Sequence, residues 1–198
     1  MKASQFFSGK FHTSSSSRFL LAVCLILCAG IPLLYAQRNY SREENVNSEN
    51  AGGKWWEVDS EDAITAARRA KFEINADGYL RQNRSVQSRI EIFCENGKYK
   101  SSEFTPGVSL GPPNRPGFWG QPQMEVTVRV DNKHDNHGWN WNGRSLAMDK
   151  GTTRELIGAQ LFRIEFLARG GPEIAEFSPA GIDLSRMAHA CDISPKKP

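Results

Sequence analysis

The segment MEVTVRVD, residues 124–131, alternates apolar and polar side chains without interruption. Met124, Val126, Val128 and Val130 therefore project to one side of an extended chain, and the residues between them project to the other. A two-residue period of this kind predicts a strand with one face against a core and the other face outside it. Because one such strand is not stable alone, the fold must supply further strands.

Shorter alternating segments predict those further strands. The segments AKFEINADG and SRIEIFCENGK carry apolar residues at every second position, namely Phe72, Ile74, Ile90, Ile92 and Cys94. Asn96-Gly97 is typical of a two-residue hairpin, and a turn is also expected at 76–78. Other strands are expected at 99–104, 163–168 and 174–177, a long irregular loop at 105–123, and GRSLAMD (143–149) as the partner of MEVTVRVD.

Two short helices are expected in the second half of the chain. In TTRELIGAQLF, Thr152 or Thr153 can cap a helix whose apolar spacing begins at Leu156 and Ile157. In DLSRMAHAC, Asp183 is a favourable N-cap, and an apolar stripe follows at Leu184, Met187, Ala188 and Cys191. The predicted fold class is therefore mainly β, resembling a sandwich, with two short helices.

The first 36 residues predict an export signal rather than part of the domain. Lys2, Lys10 and Arg18 precede an uncharged apolar run at 19–36 that ends in the small residue Ala36. A basic start, an apolar core and a small residue at the cut are typical of a cleaved signal. Retention of 19–36 as an inner-membrane anchor is the alternative, since the run is nearly long enough to span a bilayer. The expected location is periplasmic or secreted, or anchored through this run.

Beyond the signal, residues 37–53 are interpreted as a disordered linker, 54–193 as one domain and 194–198 as a tail. Only two of the four cysteines, Cys94 and Cys191, lie in this part of the chain. An isolated pair of cysteines in an oxidising compartment typically forms a disulfide. Cys94 lies on the inner face of its strand and Cys191 on the apolar stripe of its helix. The bond is therefore expected to tie the C-terminal helix to the sheet.

Several motifs follow one another in a characteristic order. A strand ends at Cys94, an Arg-x-Asp strand follows at Arg129 and Asp131, and a Phe-x-x-x-Gly turn at Phe177 and Gly181 precedes a helix that ends in cysteine. Over residues 54–193 this order resembles the type VI secretion-associated TagO/VasI-like family of exported bacterial proteins. The resemblance implies a β-sandwich-like domain, structural roles for these residues, an envelope location and an association with the secretion system. Arg129 and Asp131 are also close enough for an ion pair.

The stretch VDNKHDNHGWNWNGRSLAM, residues 130–148, contains possible metal ligands. Asp131, His134 and His137 offer the carboxylate and imidazole groups that zinc prefers. The same composition is typical of a turn between strands, and a flexible hairpin would have to be ordered by the metal. No metal or other cofactor is therefore predicted, and a metal-dependent hydrolase that uses these residues is an alternative.

The same stretch also contains a candidate aromatic surface. Trp139 and Trp141 lie two residues apart and therefore share a face of a strand. With aromatic residues of the 105–123 loop they would form a platform for a ligand, and neighbouring asparagines would bind polar groups. Packing of these tryptophans at the end of the core is the alternative interpretation. The candidate binding residues are Phe118, Trp119, Trp139, Asn140, Trp141 and Asn142.

Enzyme and nucleic-acid signals are weak. The chain contains no Gly-x-Ser-x-Gly, P-loop, His-Glu-x-x-His or dinucleotide-binding motif. Three of the 25 basic residues precede residue 37, and the remaining 22 balance the 22 acidic residues, so no basic run for nucleic acid is expected. The predicted function is a non-catalytic binding or assembly module of the cell envelope. Its expected partner is an envelope protein or a glycan, and membrane contact is expected only through the N-terminal segment. A carbohydrate-binding module is a further alternative for the function.

Overall fold

The computed structural model describes residues 46–196. The predicted signal at 1–36 and the first part of the predicted linker lie outside the described residues, as do the last two residues of the tail. Within the described range, no helix is long and apolar enough to cross a membrane.

Eleven strands and two helices make up the described part of the chain, and the predicted mainly β class is confirmed. The elements are β1 Asn47–Asn50, β2 Trp55–Glu61, β3 Arg68–Leu80, β4 Asn83–Glu95, β5 Lys98–Thr105, β6 Arg115–Pro116, β7 Pro122–Val130, β8 Lys133–Trp141, β9 Leu146–Met148, α1 Lys150–Gly158, β10 Phe162–Ala168, β11 Gly171–Phe177 and α2 Leu184–Cys191.

All strands belong to one antiparallel sheet with the order β1-β2-β3-β4-β5-β9-β8-β7-β10-β11, and β6 pairs with β7. The sheet folds over so that its last strand lies beside β3. Glu173 of β11 approaches Arg81, with Oε2 3.5 Å from the guanidinium Nε. The inner faces share one core, in which the ring of Phe104 lies 5.1 Å from that of Phe166 and 6.3 Å from that of Phe177.

The predicted disulfide between Cys94 and Cys191 is present and joins α2 to β4. The two Cα atoms are 5.1 Å apart, and both side chains are buried. Asp183 caps the helix as predicted, because its Oδ1 accepts the backbone N–H groups of Ser185 and Arg186. Met187 fills the space between helix and sheet, whereas Leu184 is half exposed, so the buried stripe is narrower than its spacing predicts.

The folded region begins earlier than the sequence predicts. Residues 47–50, assigned above to a disordered linker, form β1 and pair with β2. All four side chains of β1 are exposed, so side-chain patterning gives no sign of the strand. Ala51 is buried, and its carbonyl accepts the N–H of Asp183 at 2.8 Å, which fixes this segment against the start of α2.

Three further expectations about elements are wrong. The turn expected at 76–78 is an irregular stretch within β3, and the strand continues to Leu80. The partner of β7 is β8, which occupies most of the region interpreted as a turn, while GRSLAMD pairs through β9 with β5 and β8. Helix α1 is capped by Asp149 rather than by Thr152 or Thr153, whose side chains are buried.

The residues expected to be structural have specific contacts. Instead of an ion pair, the Nε of Arg129 donates to the backbone carbonyl of Asp131. The Asp131 carboxylate accepts the backbone N–H groups of Gln160 and Leu161, just before β10. Phe177 is fully buried in the core. Gly181 has φ +93°, and a Cβ there would lie 3.1 Å from the Cα of Gly53, so a larger residue would be strained.

Candidate functional site

The end of the proline- and glycine-rich segment forms an ordered hairpin between β6 and β7. The N–H of Gly117 donates to the carbonyl of Gln121 at 2.8 Å, and the N–H of Gly120 donates to the carbonyl of Gly117 at 2.9 Å. The side-chain oxygen of Gln121 accepts the N–H of Trp119 at 3.0 Å. Gly120 takes φ +77°, which glycine adopts without steric cost. We call residues 117–121 the hairpin tip.

The hairpin tip exposes two large aromatic side chains. Phe118 is 88% exposed and Trp119 is 86% exposed. Their rings lie 4.9 Å apart at an interplanar angle of 90°, an edge-to-face arrangement. Since each side chain of this kind can bury about 150–250 Å², their exposure leaves the fold without a large favourable contribution. An exposed apolar cluster held in an ordered turn is typical of an interaction site.

The predicted aromatic platform is not assembled as one surface. Trp139 is 1% exposed and lies in the core, and Trp141 is half buried against it. The two tryptophans share a face as predicted, but that face points inward. Asn140 is exposed, and its side-chain oxygen accepts a hydrogen bond from Gln123, while Asn142 belongs to the short turn that leads to β9. Of the candidate aromatic residues, Phe118 and Trp119 are therefore the ones presented to a partner.

The three candidate metal ligands line one groove, but they reach it from different positions. Their spacing on β8 places His134 on the outer face with Arg129 and His137 on the inner face with Val126. The Asp131 carboxylate is already used by backbone N–H groups. Within residues 46–196, these three groups do not form a cluster of ligand atoms close enough to share one ion.

The structure instead places His137 beside the N-terminus of α1. Its Nδ1 lies 3.3 Å from an Asp149 carboxylate oxygen and 3.2 Å from the Thr152 hydroxyl. That hydroxyl donates to Asp149 at 2.6 Å, and Asp149 also accepts the Thr152 N–H at 2.8 Å. Burial raises the pKa of Asp149, but the Thr152 hydrogen bonds and the nearby His137 outweigh it, so that the pKa lies below its ordinary value of 3.8.

This arrangement could orient an imidazole, but its geometry is that of a helix cap. The hydroxyl beside His137 is that of Thr152, which is buried and donates to Asp149. It does not line the groove next to His137, so it is not presented to a substrate as a nucleophile. Sequence reasoning missed Asp149, although an Asp three positions before Thr152 is a recognisable cap signal. The pairing with His137 depends on tertiary structure and has no sequence signal.

A second polar cluster joins α2 to the edge of the sheet. Glu49, Glu57 and Asp59 bring carboxylate oxygens within 4.8 Å of one another, and Arg186 enters the same group. The guanidinium Nε lies 2.9 Å from Glu57, and another of its nitrogens contacts Glu49. Burial and then the charge of Asp59 raise the pKa of Glu57, and Arg186 opposes them. Because Arg186 already offsets the negative charge, we interpret the cluster as an ion-pair network that holds the helix.

The fold and its contacts define a disulfide-closed, mainly antiparallel β domain that presents an aromatic hairpin tip. No family model, curated protein or solved structure matches the chain.

Proposed function

We propose that the chain is an exported cell-envelope protein that acts as a non-catalytic binding or assembly module and recognises its partner through the hairpin tip. The observation that carries the proposal is the exposure of Phe118 and Trp119 on a turn whose backbone is held by hydrogen bonds. The disulfide supports an oxidising compartment, since such bonds are rare in the cytosol. The resemblance to TagO/VasI-like proteins supports a periplasmic location and an association with a secretion system.

The polar clusters of the described residues favour binding over catalysis. His137 and Asp149 cap the first turn of α1, and the ion pair between Glu57 and Arg186 holds α2 against the sheet. Both clusters are explained by the stability they give to the fold. The hairpin tip has no such explanation, because neither aromatic ring packs on the core.

The double variant F118A/W119A tests the proposal. Purified full-length protein is immobilised and incubated with the envelope fraction of its host, and the retained material is compared with that of the wild type. We expect the variant to lose at least about tenfold in retention, because truncation of a central aromatic contact typically costs about 2 kcal/mol or more. Its unfolding midpoint in urea should match that of the wild type.

Ile174→Ala is the matched control for this experiment. Ile174 is 59% exposed on β11, so its replacement by alanine removes exposed apolar surface at a different place. The control should retain envelope material as the wild type does. Equal retention by F118A/W119A and by the control would contradict a recognition role for the hairpin tip.

A further inference from the structure

Five connections between strands meet at the end of the sheet that carries the hairpin tip. In the antiparallel order, β1, β3, β5, β6, β8 and β10 run in the same direction, and the connections that follow the last five lie at this end. The connection after β1 packs instead against residues 180–183. Two hydrogen bonds join the β5–β6 connection to the end of β10 and the connection that follows it. The N–H of Arg169 donates to the carbonyl of Ser109 at 2.9 Å, and the N–H of Gly111 donates to that of Leu167 at 2.9 Å.

The strand connections at this end of the molecule are basic, and two strand carboxylates lie beside them: Glu103 accepts the Ser145 hydroxyl at 3.0 Å, and Glu173 lies near Arg81. Residues 81–84, 106–121, 142–145 and 169–171 contain no aspartate or glutamate. These residues include five exposed arginines, which we call the arginine end: Arg81, Arg84, Arg115, Arg144 and Arg169.

Most of this charge is not neutralised by the protein. Arg81 lies near the buried Glu173, at 3.5 Å. The other four arginines form no ion pair with any residue that the structure describes. Four unpaired guanidinium groups beside an aromatic turn favour a partner that is both anionic and apolar.

The backbone of the hairpin tip is suited to an apolar environment. Pro116 and Pro122 flank it and have no N–H group to desolvate. The N–H groups of Gly117, Trp119 and Gly120 are bonded within the tip itself. Burial of unpaired backbone groups is a main cost of entering a lipid phase, and these hydrogen bonds and the flanking prolines reduce that cost.

We propose that the arginine end rests on an anionic phospholipid bilayer, with Phe118 and Trp119 inserted at the boundary between headgroups and acyl chains. The inference rests on the proposed function, since it names the partner of the same hairpin tip. It also adds a second membrane contact to the one expected of the N-terminal segment.

The size and shape of the surface favour a bilayer over a folded protein. Two aromatic side chains bury about 300–500 Å² in total, whereas a stable protein complex buries about 800 Å² on each partner. A bilayer requires no complementary pocket for two rings at 90° to each other. Tryptophan is enriched at membrane interfaces, and arginine is attracted to anionic lipid surfaces.

Tryptophan quenching by brominated lipid tests the proposal directly. Full-length protein is mixed with vesicles of equimolar phosphatidylcholine and phosphatidylglycerol, with bromine on the acyl chains. Because the apolar run at 19–36 can itself hold the chain on vesicles, the measured quantity is the quenching of tryptophan fluorescence and not binding. We expect quenching of the wild type, loss of that quenching in W119F, and its retention in the matched control W56F, since Trp56 is 49% exposed on β2.

Reversal of the arginine charges is the second test of the bilayer proposal. R115E/R144E should abolish the quenching, and K98E/K133E, which reverses two exposed lysines at the opposite end of the sheet, should leave it unchanged. Equal quenching of wild type and W119F would overturn the proposal. So would association that depends on phosphatidylglycerol without quenching by the acyl-chain bromines, which would indicate adsorption at the headgroups alone.

The bilayer proposal and the proposed function fail in different ways. If vesicles do not quench Trp119 but F118A/W119A still loses retention of envelope material, the partner is an envelope protein or glycan and the recognition role stands. If both experiments are negative, the hairpin tip has no recognition role.

Discussion

Trp119 is exposed and Trp139 is buried, so replacement of each by alanine should have different effects on the stability of the fold. Trp139 is fully enclosed, so W139A should lower the free energy of unfolding by about 3–5 kcal/mol through lost burial and a cavity. Trp119 lies in solvent, so W119A should change it by less than about 0.5 kcal/mol. Urea unfolding at neutral pH measures both. A large loss of stability in W119A would mean that the tip packs on the fold.

The sequence predicts which side chains share a face of a strand better than it predicts whether that face is buried. The two-residue spacing of Trp139 and Trp141 correctly predicts a shared face. Whether that face meets the core depends on the position of β8 between β7 and β9, and nothing in the local sequence states that position. Phe118 and Trp119 could be proposed from their place between glycines and prolines, and the structure adds the hydrogen bonds that keep them exposed.

At the scale of elements, Asp149 connects the first turn of α1 to β8 and should make this contact sensitive to acid. D149A should cost about 1 kcal/mol near neutral pH, since it removes an N-cap. The lowered pKa of Asp149 means that the folded state favours the carboxylate. Its contribution is therefore complete above the ordinary value of 3.8 and is lost as the pH falls through the lower folded value. Urea unfolding of the wild type and of D149A, from neutral pH to below 3.8, measures the difference in the free energy of unfolding between them.

The matched control for the cap is D149N, which keeps a side-chain acceptor for the Thr152 N–H but removes the charge. D149N should cost less than D149A and should show no titration in this range. A difference between wild type and D149A that grows as the pH falls would contradict the assignment of the lowered pKa to this contact.

Elements with apolar alternation are predictable from the sequence, and polar ones are not. The alternation of β7 and β10 follows from burial of one face, and the cap of α2 follows from Asp183. β1 and most of β8 present polar or exposed side chains, and their strand character comes from backbone pairing with neighbours. The arginine end is undetectable for the same reason: its five residues are scattered over almost ninety positions, and only the topology collects them.

On the scale of the whole molecule, the Cys94–Cys191 bond fixes the C-terminal helix to the fourth strand across a separation of 97 residues. A link of this length restricts the unfolded chain, and the chain-entropy model gives about 4.7 kcal/mol for a loop of about 100 residues. The double variant C94A/C191A should therefore lose about 2–5 kcal/mol in the free energy of unfolding. Urea unfolding without reductant measures the loss, and the wild type in reductant should approach the variant.

An unreduced peptide map of the protein recovered from host cells is the most direct test that this is an exported domain closed by one covalent bond. We expect a single cross-linked peptide pair that contains residues 94 and 191, recovered with the envelope or secreted fraction. Recovery of both cysteines as free thiols would contradict the closure of the domain and, with it, the oxidising compartment on which the proposed function depends.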